Sequence, residues 1–361
     1  MAERTDRRRF IRTLVAGPLA LTAAFAAVPH ARAGGLPTWA DETRLRAGTL
    51  PPGGKKFVPV MVTPYTDEGK IDFNHLSALV DFYLAAGARG LFANCLSSEM
   101  YNLSTDERIG LAEHVVKQVN GRVPVVACGS FGNNLEERAE FTKRMHQTGV
   151  KAVILITSHF ALETESDDVL IGNFERFFGM TGNIPLGTYE CPSPYKRLLT
   201  PKVFTQLLSD NRLIYHKDTS LDMSLVRAKL ELAKGNPLEF FDAHAPNTMY
   251  SLQAGARGMS AIAGNFYPEI FVWMCDHALD QAMKEKVEWM QSEITRMDNV
   301  VSASYPRSSK YFLRKRGLPL REFSRSNTTP LTDKEKQVLD GVHGTFMGWC
   351  RDLGISRAFH A

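Results

Sequence analysis

The residue of this sequence that most directly suggests a chemical role is a lysine near the end of an apolar run. The run Leu213–Tyr215 has the composition of a buried strand, and Lys217 follows it closely. Burial lowers the pKa of an amine, because the charged ammonium is desolvated, and the neutral amine can attack a carbonyl group to form a Schiff base. The alternative is a strand-end lysine whose ammonium reaches water along its flexible stem.

Short strand-like runs and longer amphipathic runs alternate from Phe57 onward. Eight strands with intervening helices fit into about 210 residues, which predicts an α/β fold, the (β/α)8 TIM barrel. The rest of the chain is predicted to be helical, with periodic segments at Ile270–Ile294 and Thr332–Leu353 and a linking segment at Val300–Leu318. The predicted strands are Phe57–Val62, Gly90–Asn94, Val123–Ala127, Ala152–Thr157, Ile184–Tyr189, Leu213–Lys217, Leu238–Ala243 and Gly258–Ile262.

The carboxyl ends of these strands are where a (β/α)8 barrel builds its active site. Tyr189 ends the fifth predicted strand and Lys217 ends the sixth. After Lys217, the segment Asp218–Ser220 has the side chains that cap helix N-termini, so we expect it to start the next helix. No residue spacing predicts a metal or an organic cofactor, and we expect none. The candidates for substrate binding at the other strand ends are Ser97, Ser98, His159, His244 and Ser260.

The charge of the chain excludes some classes of partner. The formal net charge is +4, but residues 1–33 contain six arginines and two acidic residues, which leaves 37 basic and 37 acidic residues in the remainder. A neutral remainder does not favour binding to nucleic acid or to an anionic membrane. We therefore expect a small-molecule partner.

Residues 1–33 have the pattern of a twin-arginine signal peptide. Arg7–Arg12 contains the arginine pair followed by Phe and an aliphatic residue, Thr13–Val28 is a modest apolar core, and Ala31–Ala33 is a small-residue cleavage site. The alternative, a membrane anchor, is disfavoured because the apolar run is short and rich in Ala and Thr for a span of about 20 residues. We expect export to the periplasm or beyond and no membrane insertion after cleavage. An irregular lead-in at 34–56, the barrel at 57–268 and a helical extension at 269–361 would follow.

Five cysteines are widely spaced along the chain, at positions 95, 128, 191, 275 and 350. The odd count and the spacing predict neither a disulfide framework nor a CxxC metal site. Cys95, Cys128 and Cys191 all fall near strand ends, so a Cys95–Cys128 disulfide or a thiolate metal site is conceivable. We favour the interpretation that they are small buried thiols.

Several spaced motifs together resemble one enzyme family. The motifs are Val62–Tyr65 with Asp67, Gly69 and Asp72; Leu96–Glu99 with Leu103, Ser104 and Glu107; Tyr189–Pro192; Lys217–Ser220; and Gly255–Gly258 with Asn265 and Pro268. In these motifs and their order, the chain resembles the dihydrodipicolinate synthase and N-acetylneuraminate lyase family of class I aldolases. The resemblance runs from about Phe57 to Pro268, and the helical remainder is similar to the three-helix extension of that family.

The resemblance implies a role for three strand-end residues. Lys217 would form a Schiff base with the keto carbon of pyruvate or another 2-oxo acid. Tyr189 would transfer protons as a general acid and base, and Ser97, with amides near Ser98, would hold the carboxylate. An amine, a phenol and a hydroxyl are also what enamine chemistry on a carboxylated ketone needs. The resemblance further implies a homo-oligomer, a dimer or a tetramer.

Three positions depart from the pattern of the family near the tyrosine. Leu96 replaces a hydroxyl-bearing residue that relays protons, and His159 and Phe160 replace two tyrosines, the second of which crosses a subunit interface. The hydroxyls that relay protons on both sides of Tyr189 in the family would therefore be missing. His159, His216 and His244 are candidates to replace it, since imidazole titrates near neutral pH.

A fourth departure concerns the second substrate. Pro194 stands where dihydrodipicolinate synthase has an arginine that binds the semialdehyde carboxylate, and Lys196 and Arg197 would have to reach the site from other places. Together with the predicted export, this argues against dihydrodipicolinate synthesis. The leading hypothesis is a Schiff-base lyase, aldolase or dehydratase that acts on a 2-oxo acid. The alternative is a non-catalytic periplasmic barrel that binds 2-oxo acids or sugar acids and has lost the relay.

Overall fold

Eight parallel strands form a single sheet in the computed structural model, which describes residues 54–358. The strands are Lys56–Phe57 (β1), Leu91–Phe92 (β2), Val125–Cys128 (β3), Ala152–Ile156 (β4), Leu186–Tyr189 (β5), Leu213–Asp218 (β6), Glu239–Asp242 (β7) and Gly258–Met259 (β8). Each strand pairs with the next one in the chain from β2 to β8, and β8 pairs with β1. A parallel bridge between Val60 and Phe92 joins the first strand's segment to β2. The predicted (β/α)8 barrel is therefore confirmed.

The strands are shorter than predicted, most clearly at the start of the barrel. The predicted strand Phe57–Val62 is regular only as far as Phe57, because Pro59 has no N–H group to donate to a ladder. The chain nevertheless continues along β2, since Phe92 N–H donates to Pro59 O and Met61 N–H donates to Phe92 O, each at 3.0 Å. β4 is buried along its whole length, as expected for a parallel strand covered on both faces.

Seven helices follow the first seven strands in turn. They are Phe73–Ala85 (α1), Thr105–Val119 (α2), Leu135–Gln147 (α3), Asp167–Met180 (α4), Pro201–Leu207 (α5), Met223–Leu232 (α6) and Thr248–Gln253 (α7). Ser104 and Glu107 form the capping box that starts α2. The expected cap of α6 at Asp218–Ser220 is wrong: Asp218 still belongs to β6, and the carboxylate of Asp222 accepts from Ser224 N–H at 2.7 Å instead.

The helical extension differs in detail from the prediction. Its helices are Pro268–His277 (α8), Lys284–Ser302 (α9), Arg307–Lys315 (α10) and Asp333–Leu353 (α11). α8 packs against β1 and β8 and so completes the ring of helices, while α9, α10 and α11 pack against one another. The predicted continuous segment Ile270–Ile294 is broken between α8 and α9. The predicted link Val300–Leu318 contains α10.

The export signal predicted at 1–33 and the lead-in up to residue 53 lie outside the described residues, so they stay predictions. Lys56, which was predicted to end the lead-in, already belongs to β1. Among the helices of residues 54–358, none has the length and apolar content needed to cross a bilayer.

Candidate active site

Lys217 and Tyr189 lie side by side at the carboxyl ends of β6 and β5. Their Cα atoms are paired in the sheet register, and the Lys217 Nζ atom lies 4.4 Å from the centroid of the Tyr189 ring. Nζ is also 5.5 Å from the ring of Phe92, which comes from β2 across the barrel. Both residues are only 3% exposed. The structure therefore brings together the amine and the phenol that the sequence singled out.

The surroundings of Lys217 favour the neutral amine. Burial is the main influence and lowers the pKa of Lys217, whereas the nearby thiols of Cys95, Cys191 and Cys128 oppose this shift without reversing it. An amine held in this way needs less free energy to lose its proton than a lysine in water. It is a competent nucleophile toward a carbonyl group.

Tyr189 is held as a neutral phenol. Burial raises the pKa of Tyr189 well above its usual value, and the nearby thiol of Cys191 acts in the same direction. The hydroxyl of Tyr101 donates to Ser193 O at 2.7 Å and lies 3.2 Å from Nε2 of His159. Tyr101 therefore connects the segment after β5 with the imidazole of His159.

His159 has its ring fixed by the backbone of the β3–α3 loop. Its Nδ1–H donates to the carbonyl oxygen of Ser130 at 2.6 Å, which assigns Nε2 as the acceptor that faces Tyr101. Burial lowers the pKa of His159 to about 4. The imidazole is therefore neutral near pH 7 and can accept a proton there.

Ser97 and Ser98 were predicted together, but the structure places them differently. Both lie in a short 3₁₀ turn after β2. Ser97 is buried and lies near Tyr305, from the segment between α9 and α10. Ser98 is fully buried, its hydroxyl lies 2.6 Å from Ala93 O, and its amide donates to Cys95 O. Ser98 thus holds the turn together, and Ser97 remains the candidate for contact with substrate.

Ser260 and His244 lie at the ends of β8 and β7. Their hydrogen bonds are formed with residues other than Lys217 and Tyr189. The Ser260 hydroxyl is fully buried and donates to Val58 O at 2.8 Å, which continues the pairing of β8 with β1 beyond the strand ends. His244 is half-buried, and its backbone amide donates to the carboxylate of Asp242 at 2.8 Å. Within residues 54–358 its Nδ1 atom has no hydrogen-bond partner.

His216, the third candidate for a relay, points out of the barrel. It is fully buried, its Nδ1 lies 2.8 Å from the Thr188 hydroxyl, and its ring packs against Phe204 and Phe240. Successive side chains of a strand point to opposite faces, so His216 and Lys217 cannot both face the interior.

A buried ionic cluster lies on this outer face, and the sequence did not predict it. Lys229 of α6 forms ion pairs with the carboxylates of Glu190 and Asp218, and all three side chains are fully buried. Glu190 also accepts from the amides of Leu199, at 2.7 Å, and Thr219, at 3.1 Å. The cluster therefore joins the ends of β5 and β6, immediately beside Tyr189 and Lys217.

The same cluster bears on the question of metals. Among residues 54–358, one group of possible ligands has its atoms within 4.8 Å of one another: Glu190, His216 and Asp218. The ammonium of Lys229 already contacts both carboxylates and balances their charge. Cys95, Cys128 and Cys191 are buried free thiols, so the conceivable Cys95–Cys128 disulfide is absent from the described chain.

The positions that depart from the family pattern have clear surroundings. Phe160 is buried and stacks on Phe174 of α4, with ring centroids 4.2 Å apart. Arg197 pairs with Asp167 at 3.0 Å, and Lys196 donates to Thr219 O at 2.8 Å. Lys196 therefore lies next to the end of β6, whereas Arg197 is held against α4.

Comparison with known proteins agrees with this geometry. The model of the Dihydrodipicolinate synthetase family matches residues 54–342. The chain belongs to this family. It is 28% identical over 285 residues to 4-hydroxy-tetrahydrodipicolinate synthase of Bacillus subtilis (strain 168), a match that covers 78% of this chain and 96% of that enzyme. The enzyme of the same name from Shewanella baltica (strain OS155) is 28% identical over 222 residues, or 62% of this chain and 74% of that one.

Solved structures of this family share the fold of the chain. A prophage protein of E. coli K12, solved in complex with pyruvate, superimposes with a TM-score of 0.73 at 23% identity and covers 81% of this chain and 98% of its own. A monomeric dihydrodipicolinate synthase variant gives a TM-score of 0.74 at 19% identity, with 82% and 98% covered. Membership of the Dihydrodipicolinate synthetase family confirms the predicted class, a class I aldolase or lyase, and leaves the substrate open.

Proposed function

We propose that this protein is a Schiff-base-forming lyase, aldolase or dehydratase that acts on pyruvate or on a 2-oxo acid such as a 2-keto-3-deoxy sugar acid. The pairing of Lys217 with Tyr189 carries the proposal, because it places a desolvated amine against a neutral phenol. The family relative solved with pyruvate supports the choice of substrate class.

The amine of Lys217 adds to the keto carbon and one amine proton moves to the keto oxygen. A second proton, from Tyr189, completes the water that leaves, which gives an iminium and the phenolate of Tyr189. The resulting iminium is the electron sink: when a proton or an aldehyde departs from the adjacent carbon chain, the bonding pair moves into the iminium and gives an enamine. Tyr189 takes up the proton released by the substrate hydroxyl during cleavage and returns it in the reverse direction. Ser97 holds the carboxylate and so fixes the orientation of the keto carbon.

Leu96 and Phe160 cannot carry protons, and in this proposal Tyr101 and His159 are the candidates to replace them. The Tyr101 hydroxyl lies 3.2 Å from the acceptor nitrogen of His159. It donates to Ser193 O at 2.7 Å, so it must turn from that oxygen before it can pass a proton to the imidazole.

Reduction by borohydride tests the Schiff base directly. After incubation with pyruvate, hydride addition to the iminium carbon should fix a secondary amine on Lys217, which mass spectrometry of peptides locates. Lys217→Met is the matched control, because it keeps an unbranched side chain of similar shape and has no amine to form an adduct. The absence of an adduct with pyruvate and with a panel of 2-oxo acids would overturn the proposal.

The second candidate function is a barrel that binds 2-oxo acids or sugar acids without turnover. Leu96 and Phe160, which interrupt the relay of the family, are the observations that favour it. Stabilisation against heat by a sugar acid, with no product formed, would support this candidate. Turnover that is lost in Lys217→Ala would exclude it.

We also propose that the activity differs from that of the relatives named 4-hydroxy-tetrahydrodipicolinate synthase. Pro194 provides no cation for a second carboxylate, and Arg197 is already paired with Asp167. Assay of pyruvate with aspartate semialdehyde should give no condensation, whereas aldol cleavage of a sugar-derived 2-oxo acid should release pyruvate. Enzyme-dependent condensation of pyruvate with aspartate semialdehyde would contradict the proposal that the activity differs from that of these relatives.

Export and assembly are separate parts of the proposal. We propose that residues 1–33 direct twin-arginine export, so that a periplasmic protein beginning at Gly34 is expected by N-terminal sequencing after expression in a host with this pathway. We propose a homodimer or homotetramer, which sedimentation should detect. Phe160 has no hydroxyl and stacks on Phe174 of its own chain. The proposed assembly therefore does not use this position to supply a hydroxyl across the subunit interface.

A further inference from the structure

We propose that Glu190 is a positioning residue, whose carboxylate holds the end of β5 against the end of β6 and so keeps the ring of Tyr189 against the amine of Lys217. The inference deepens the proposed function and rests on it. The side chain of Glu190 points to the outer face of the barrel, because it follows Tyr189 in the chain, and there it pairs with Lys229 of α6. Glu190 therefore acts on the reaction through Tyr189 and not by contact with the substrate.

The main chain joins β5 to β6 only loosely beside the reacting pair. The Glu190 amide donates to Lys217 O at 3.3 Å, which is long for such a bond. Tyr189 O accepts from Cys191 N–H at 2.8 Å, so the chain turns away from the sheet directly after Tyr189. On its other side, β6 stays paired with β7 as far as Asp218. The end of β5 therefore needs further contacts to stay in register with β6.

The carboxylate of Glu190 supplies these contacts. Thr219 N–H, just beyond β6, donates to it at 3.1 Å, and Leu199 N–H, just before α5, donates to it at 2.7 Å. The ammonium of Lys229 also contacts it and donates to the carboxylate of Asp218 at 2.7 Å. The hydroxyl of Thr219 adds a bond to the main-chain oxygen of Glu190. One side chain thus connects the end of β6, the approach to α5 and helix α6.

The segment that follows Glu190 gives Tyr189 no regular support of its own. The chain is irregular from the end of β5 until α5 begins at Pro201. Because Glu190 binds the amide of Leu199, it closes this segment into a loop whose two ends lie together. The position of Tyr189 is therefore fixed on one side by β5 and on the other side by the carboxylate of the next residue.

Burial makes this arrangement suited to fixing geometry. Glu190, Asp218 and Lys229 are all 0% exposed, so water does not compete for their hydrogen bonds. Buried ion pairs add little net stability compared with well-packed apolar side chains of similar volume. Apolar contacts have no preferred direction, whereas hydrogen bonds to charged groups have a strict geometry. Directional control of two strand ends is what the cluster provides and an apolar core would not.

Glu190→Gln tests the inference with little change in shape. A glutamine side chain has one acceptor oxygen and one NH2 group, so it cannot accept from both Thr219 N–H and Leu199 N–H in the way the carboxylate does. Lys229 keeps its pair with Asp218, so no buried charge is left alone and the variant should fold. The bonds that fix the end of β5 are reduced, while Lys217 and Tyr189 themselves are unchanged.

Two measurements with pyruvate distinguish the proton transfer from formation of the iminium. The half-saturating concentration for borohydride trapping on Lys217 reports iminium formation at equilibrium. Exchange of the methyl protons for solvent deuterium, followed by NMR, reports proton transfer: the phenolate of Tyr189 takes a methyl proton, the bonding pair gives the enamine, and the enamine carbon takes up a deuteron. We expect exchange in Glu190→Gln to slow about tenfold or more, with the half-saturating concentration unchanged.

Glu269→Gln is the matched control, because it makes the same change in a buried carboxylate elsewhere. Glu269 of α8 is 3% exposed, accepts from Ala358 N–H at 2.9 Å and pairs with Arg316. This variant should exchange the methyl protons like the wild type, even if its stability falls. Slow exchange in Glu269→Gln as well would indicate a general effect of losing a buried carboxylate and would overturn the inference.

The other outcomes separate the inference from the proposed function. Equal exchange in Glu190→Gln and the wild type overturns the inference alone, and so does a rise in the half-saturating concentration that matches the loss of exchange. Trapping of the wild type without exchange also overturns it, since there is then no proton transfer to position. No trapping of the wild type overturns the proposed function and this inference with it.

A second variant covers the case in which Glu190→Gln fails to fold. The triple variant with Glu190→Gln, Asp218→Asn and Lys229→Met contains no buried charge at this cluster and also lacks the bonds that fix the end of β5. It must show slow exchange with unchanged half-saturation of trapping. Exchange at the wild-type rate in the folded triple variant counts against the inference.

Discussion

Two buried lysines stand at opposite faces of one strand end and differ in nearly everything except burial. Lys217 is 3% exposed among aromatic rings and thiols, and burial lowers its pKa. Lys229 is 0% exposed between two carboxylates. Burial alone would lower its pKa as well, but Glu190 and Asp218 outweigh burial and raise it. The difference teaches that burial does not decide the charge of an amine. The partners that share the buried volume decide it.

The alternation of β6 produces both environments. Lys217 faces the interior, while Asp218, the next residue, faces α6 and pairs with Lys229. Burial opposes ionisation of Asp218, but His216 and Lys229 hold its pKa well below the usual value. The ionic cluster therefore keeps its charges on the outside of the barrel, and the influences that act on the pKa of Lys217 are burial and the neighbouring thiols.

The largest expected effect is on activity and follows removal of the inner lysine. Lys217→Met should abolish borohydride trapping and turnover, because no other amine lies against Tyr189. Stability should not fall, since an unpaired buried amine is replaced by an apolar side chain of similar shape. Mass spectrometry after reduction and a urea titration measure the two properties. An adduct at another lysine would contradict the assignment of Lys217 as the nucleophile. A marked loss of stability would contradict its description as an unpaired buried amine.

Removal of the outer lysine should have the opposite consequence. Lys229→Met leaves two carboxylates buried without a cation, and the free energy of unfolding should fall by about 3–5 kcal/mol. Adding Glu190→Gln and Asp218→Asn to this variant should recover much of the loss, because the uncompensated charges are gone. Urea titration of the single and triple variants is the measurement. A loss below about 1 kcal/mol in the single variant would mean that the two carboxylates are not left as uncompensated buried charges.

A carboxylate placed beside Lys217 should make its charge state resemble that of Lys229. Cys191→Asp introduces a negative charge next to Lys217, which should raise the pKa of Lys217 and reduce the neutral amine. We expect trapping with pyruvate near neutral pH to slow about tenfold or more, since one pKa unit corresponds to a tenfold change in the neutral fraction. Cys191→Asn is the matched control, with the same shape and no charge. Equal rates in the two variants would indicate that electrostatics do not control the nucleophile.

Much of this architecture is predictable because it follows local rules. Alternation of apolar runs and helices gives the barrel, and the rule that barrel strands carry chemistry at their carboxyl ends selects Tyr189 and Lys217. The register that pairs them is a consequence of the barrel itself. The distinction between Ser97 and Ser98 is not predictable in this way, because it depends on which hydroxyl the turn uses for its own backbone.

The two features that escaped prediction depend on long-range contacts. Lys229 lies on an amphipathic helix, where a lysine usually faces water, and only the positions of Glu190 and Asp218 in space make it a core residue. Tyr305 lies in a segment predicted to be a link. Its hydroxyl accepts from the side-chain amide of Asn265 at 2.8 Å, which joins the extension to the turn after β8, and no local pattern encodes such a pairing.

The smallest expected effect is the dependence of stability on pH, and it has a definite sign for each lysine. Because the folded pKa of Lys217 lies below the usual value of 10.5, the unfolded chain binds more protons than the folded chain between these two values. Stability from this residue therefore rises with pH in that window, by at most about 1.4 kcal/mol per pH unit. The folded pKa of Lys229 lies above 10.5, so its contribution is complete below that pH and is lost only above it.

The difference in unfolding free energy between the wild type and Lys217→Met isolates the slope, because other titrating groups contribute to both proteins. Urea titrations from neutral pH up to 10.5 should show the wild type gaining on the variant as the pH rises. A difference that stays level through this range would mean that Lys217 keeps its proton in the folded protein, as Lys229 does. In that case the binding of substrate, and not the fold alone, would have to lower the pKa of Lys217 before its amine acts as a nucleophile.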